Sequence, residues 1–175
     1  LWVKGLEEDP ERGDVVLVAP DSRWDGVAQD SAGSFTELMR WLRLGAAPPG
    51  SQVITRIIGG PGDEVRCCSP SGQLLVNGKP VPTPGGNEAF RVVLSNGLYF
   101  VATDSMSPGS SSCYLSSLRR AALISTDQIK GRVVRAGWPW ARRPLDPARA
   151  PYTGVPTGGP VPAAPIIESA KDPYC

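Results

Sequence analysis

The chain has 175 residues, 18 Lys and Arg against 17 Asp and Glu, and no histidine, for a formal net charge of +1. That length suits one domain with a tail, and the near-neutral balance gives no electrostatic case for a nucleic-acid partner. Without histidine no Ser-His-Asp triad, Cys-His pair or His-ligated zinc site can be built within the chain, and no cofactor is expected.

Leu1-Trp2-Val3 reads as the end of a strand, and Glu7 to Gly13 is a charged turn carrying Pro10. Asp14 to Ala19 is an apolar run closed by Pro20, which predicts a buried strand. Ser34 and Glu37 form a capping box, so a short helix is expected from Phe35 to Leu44, an insertion over about 34–45. Its stripe of Phe35, Leu38, Met39 and Leu42 packs on a sheet or, with Trp41, Arg40 and Arg43, rests on lipid.

Ala46 to Gly50 breaks the chain, and Val53 to Ile58 is the next strand. Pro61-Gly62-Asp63 turns, and Glu64 to Cys68 leads out. Gln73 to Val76 and Lys79 to Val81 flank Asn77-Gly78, a hairpin signal because both central positions need positive φ. Residues 82–87 read as a Pro/Gly loop. Phe90 to Leu94 and Leu98 to Ala102 are strands around Ser95-Asn96-Gly97, Ser105 to Ser117 has no assignable structure, and Gln128 to Arg135 closes the strand set.

From Ala136 onward Pro, Gly and Ala dominate, and residues 144–175 read as a disordered tail after a domain over 1–143. Trp138-Pro139-Trp140 is either a packed lid or, beside Arg142-Arg143, a membrane contact. The fold class is mostly β, an antiparallel domain with one short helix.

No apolar run approaches the roughly 20 residues that cross a bilayer. The chain starts with Leu rather than Met, so any membrane anchor is expected upstream of Leu1. Of the four cysteines, Cys67 and Cys68 are adjacent and would point to opposite faces of a strand. Two readings stand: a bridge from one of them to Cys113, or buried free thiols, which is the favoured one.

Five blocks in order carry a resemblance. They are Arg12-Gly13-Asp14-Val15-Val16, then Arg56 to Asp63 with Gly59, Pro61 and Gly62, then Val76-Asn77-Gly78-Lys79-Pro80, Leu98-Tyr99-Phe100-Val101 and Ile129-Lys130-Gly131-Arg132-Val133-Val134. Together they resemble the type I signal peptidases, serine/lysine endopeptidases that trim secreted precursors at the membrane surface. The resemblance implies a membrane-tethered domain on the extracytoplasmic side, with an extended precursor peptide or protein as partner.

The family's chemistry needs a serine nucleophile and a buried neutral lysine as its base. The serine's Ser-Met-x-Pro box would lie upstream of Leu1. The lysine's position, directly before Arg56, holds Thr55, which cannot act as an amine base. The family's Gly-Asp-Asn-Arg box reads here Thr103-Asp104-Ser105-Met106, keeping only Asp104. Ser105-Met106-Ser107-Pro108 reads like a nucleophile box but sits in the wrong block, and a Ser/Gly loop is the better reading.

Three functions follow as expectations. The first is a signal-peptidase-type endopeptidase. The second is a non-catalytic member that binds an extended peptide or partner protein by strand addition. The third is a small β module resting on a membrane through Trp41, Trp138 and Trp140.

Overall fold

The structure is a computed structural model that describes residues 2–19, 53–84, 89–102, 123–136, 143–144 and 150–169. The expected helix from Phe35 to Leu44, the Ser105 to Ser117 stretch and Trp138-Pro139-Trp140 lie outside them.

The described residues form twelve strands: β1 (Trp2–Lys4), β2 (Val15–Val18), β3 (Val53–Gly59), β4 (Glu64–Cys67), β5 (Gln73–Val76), β6 (Lys79–Pro84), β7 (Phe90–Val93), β8 (Leu98–Ala102), β9 (Leu123–Ser125), β10 (Ile129–Ala136), β11 (Arg143–Pro144) and β12 (Ile166–Ser169). A one-turn helix, α1 (Ala150–Thr153), stands between β11 and β12. Every pairing is antiparallel. The first sheet runs β1-β10-β2-β3-β8-β9, with β11 beside β10, and the second runs β12-β7-β4-β5-β6.

Local sequence accounts for most of these elements. β2 and β5 alternate half-buried and buried residues, the period-2 pattern of a strand with one face on the core. Asn77 and Gly78 take φ of 49° and 81°, and the β5–β6 hairpin closes on them. β6 contains Pro80, Pro82 and Pro84, which have no N–H for a ladder. It lies at an edge of its sheet, where that lack costs least.

Alternation also splits the core. Ile58, Phe100 and Leu123 of the first sheet join Val65, Leu74, Val76, Val81, Val92 and Leu94 in one apolar cluster between the sheets. Ile57, Tyr99, Val101 and Ile124 face the other way and pack with Val16, Val18 and Ile129 in a second cluster. β3 and β8 therefore run between two apolar layers.

Two expectations are corrected. Residues 150–169, assigned by composition to a loose tail, fold onto the second sheet: Tyr152 and Val155 enter the inter-sheet core, and β12 pairs with β7 from Ile166↔Val93 to Ser169↔Phe90. Periodicity misses this because the segment is held by contacts far away in sequence. The cysteine readings also change. β4 ends at Cys67, so strand alternation does not carry to Cys68, and the two sulfurs are bonded to each other.

Candidate functional site

Thr55 sits in the middle of the first sheet. Its strand pairs with β2, in register with Val16, and with β8 through Arg56↔Ala102. It shares a face with Ile57, two residues on, and so points to the side of the cluster containing Val16 and Tyr99. The residue is only 3% exposed, and among the described residues its Oγ1 has no hydrogen-bond partner. A buried hydroxyl left unpaired is uncommon in folded proteins because it loses water and gains nothing.

No described lysine serves that position. Lys4 Nζ pairs with Glu7 at 2.8 Å, Lys79 Nζ donates to the Gly154 carbonyl at 2.7 Å, and Lys130 Nζ donates to the Asp127 carbonyl at 2.8 Å. The Lys4 amine holds the Glu7 carboxyl below the usual carboxylate range, chiefly through that hydrogen bond. Asp104, expected from the resemblance as the remnant of the second box, lies outside the described residues, as do Ser105 and Met106.

The other singled-out residues do converge. Gly13, at φ 86°, donates its N–H to the Ile57 carbonyl and accepts from Arg56 Nη1 at 2.8 Å. Ile57 N donates to the Asp14 carbonyl, so the turn before β2 is locked to β3. Buried Asp14 accepts the Glu11 N–H at 3.0 Å, with Arg132 Nη1 3.7 Å away. On the opposite face of β3 from Thr55, the Arg56 guanidinium lies 5.8 Å from the centroid of the Tyr152 ring.

The Pro61-Gly62-Asp63 turn is the hub. Asp63 Oδ2 accepts the Gly60 N–H at 2.9 Å and lies 3.4 Å from Arg12 Nε, while Oδ1 accepts from Asn77 Nδ2 at 2.8 Å. Asn77 Oδ1 accepts the Glu64 N–H, tying the hairpin to β4. Gly62, at φ 82°, has Gly159 pressed so close that a Cβ on Gly62 would stand 2.8 Å from the Gly159 oxygen. Gly59 packs against Val65, Leu94 and Asp63, which leaves little room for a side chain. An open cleft of about 360 Å³ lies beside this turn, between Arg12, Asp63, Tyr152 and Gly158.

The ordered blocks thus form a fold-holding network, and a known family's sequence model covers it. The model described as signal peptidase, peptidase S26, matches residues 2–138. The chain belongs to the signal peptidase family. No curated protein matches it. Among solved structures, a crystal structure of a signal peptidase I from Enterococcus faecalis V583 is similar, with 17% sequence identity and a TM-score of 0.42 over 72% of this chain and 97% of that one.

Sequence reasoning found Arg12, Asp63 and Asn77 as motif members but missed Tyr152. The Tyr152 hydroxyl shares a buried 2.8 Å hydrogen bond with Thr83 Oγ1. A tyrosine within a Pro/Gly/Ala-rich stretch is the signal that was available there. Among the described residues no helix is long and apolar enough to cross a membrane.

Proposed function

We propose that this chain is the extracytoplasmic, membrane-tethered domain of a signal peptidase and acts on extended precursor peptides of secreted proteins. Family membership across residues 2–138 carries the reading. In the serine/lysine mechanism a serine hydroxyl attacks the scissile carbonyl while a neutral, buried amine takes its proton. This chain supplies the antiparallel scaffold and, at the position where the motif resemblance expects that amine, Thr55.

The test uses the natural full-length protein in liposomes with a labelled secretory precursor. Cleavage at the signal-peptide junction, lost when the serine of an upstream Ser-Met-x-Pro box is replaced, is the expected result. Intact precursor after prolonged incubation would remove the catalytic reading.

The unpartnered hydroxyl of Thr55 favours a second reading. With threonine at the base's position the domain holds an extended peptide by strand addition and releases it uncut. Saturable, unprocessed binding of the same precursor supports this reading, and turnover by the natural sequence overturns it.

A further inference from the structure

The second sheet carries a feature that neither reading uses. Residues 154–156 run past a row of side chains that grip them almost entirely by the main chain. Lys79 Nζ donates to the Gly154 carbonyl at 2.7 Å. Arg12 Nη1 donates to the Val155 and Pro156 carbonyls at 3.3 and 3.0 Å, and Asn77 Nδ2 donates to the Pro156 carbonyl at 2.8 Å. Further on, Gly158 meets the Gly62 carbonyl so closely that a Cβ would collide with it, and β12 adds to the edge of β7 with Glu168 paired to Arg91 at 3.1 Å.

Few side chains of this segment are buried. Tyr152 and Val155 are its fully buried ones, at 4% and 8% exposure, and Ile167 is partly buried, whereas Ile166 is 43% exposed. Main-chain hydrogen bonds plus two anchoring side chains are how an extended peptide sits in a binding groove. A core strand would bury every second residue. The gripping residues all fall within the family-matched region, and the gripped segment falls beyond it.

We infer that Arg12, Asn77, Lys79 and the β7 edge form a peptide-binding groove, separate from the Thr55 position, whose tethered occupant is residues 150–169. The groove reads backbone carbonyls, so it takes in trans an extended, Gly/Pro-containing segment of a partner protein with a tyrosine three residues before a valine, the spacing of Tyr152 and Val155. Tethering holds the native occupant at an effective concentration on the order of millimolar, which shields the groove until the occupant is loosened.

The experiment titrates a fluorescein-labelled synthetic peptide of residues 150–169 against the full chain by fluorescence anisotropy. Tyr152→Ala removes one anchor, and Gly158→Ala separately disrupts the seam with Gly62. Each variant is first checked for a cooperative melt. A folded variant is expected to bind the peptide at least about tenfold tighter than the native chain does. Adding Arg12→Ala is expected to weaken that binding about tenfold, because its charged donor reaches two carbonyls. Folded variants that bind no more peptide than the native chain overturn the groove. So does loss of folding in both variants, which would make the segment indispensable to the fold rather than a displaceable occupant. The readout is binding at the second sheet, so it stands whatever the outcome of the precursor assay.

Discussion

Replacing Thr55 by valine keeps the shape of the side chain and removes its hydroxyl. Oγ1 is buried without a partner, in a residue that faces an apolar cluster. A buried, unpaired hydroxyl costs about 1–3 kcal/mol, and a methyl group in its place adds apolar burial. Thr55→Val is therefore expected to stabilise the protein by about 1–2 kcal/mol. That corresponds to roughly 3–6 °C in Tm for a chain of this size. Thr55→Lys runs the other way, because a longer side chain must enter a packed layer and its amine must be desolvated. A loss of about 3–5 kcal/mol is expected. Urea denaturation of the three proteins, read as a shift in midpoint at constant slope, measures both effects. Destabilisation by Thr55→Val would refute the reasoning, since the hydroxyl would then have a partner. A lysine tolerated without loss would reveal an amine-sized space kept at this position.

Other expectations concern the network around Asp63 and the core. Asn77→Ala loses the hydrogen bonds to Asp63, Glu64 and Pro156 and puts at φ 49° an alanine, which tolerates the left-handed region less well than asparagine does, for about 2–3 kcal/mol. Asn77→Gly keeps the turn and should cost about 1 kcal/mol less, which denaturation midpoints will compare. In a double-mutant cycle, Thr83→Val and Tyr152→Phe should each destabilise, with a coupling of about 1 kcal/mol, because removing both hydroxyls leaves neither orphaned. Additive losses would mean that their hydrogen bond contributes nothing. Burial raises the Tyr99 phenol's pKa, with the Asp9 charge adding to the shift and a hydrogen bond with Thr126 opposing it. The folded state thus prefers the protonated phenol. Its contribution is intact below the unfolded value of about 10 and lost as pH rises from there through the folded pKa. Alkaline melts should fall less steeply for Tyr99→Phe, and the difference in phenolate absorbance between the native protein and this variant should be a component that appears late.

How far the fold could be read ahead depended on the range of the forces involved. The Asn77-Gly78 hairpin, the β2 and β3 runs and the antiparallel class were legible because turn chemistry and side-chain alternation act over a few residues. Arg12, Gly13, Asp14, Arg56, Gly59, Pro61, Gly62 and Asp63 were legible as a group through their order along the chain. What they hold was not. Arg12 reaches Val155 across 143 residues, and nothing near either end specifies the other.

Sequence by itself determined the antiparallel strands, the family and the presence of threonine where an amine was expected. Tertiary structure alone decided that Thr55 is buried with its hydroxyl unpaired, because burial depends on which strands lie on either side. It also decided that a Gly/Pro-rich segment folds. Such a stretch has almost no periodic apolar face of its own, and it takes a defined path where Arg12, Asn77, Lys79 and the β7 edge supply the partners its backbone lacks.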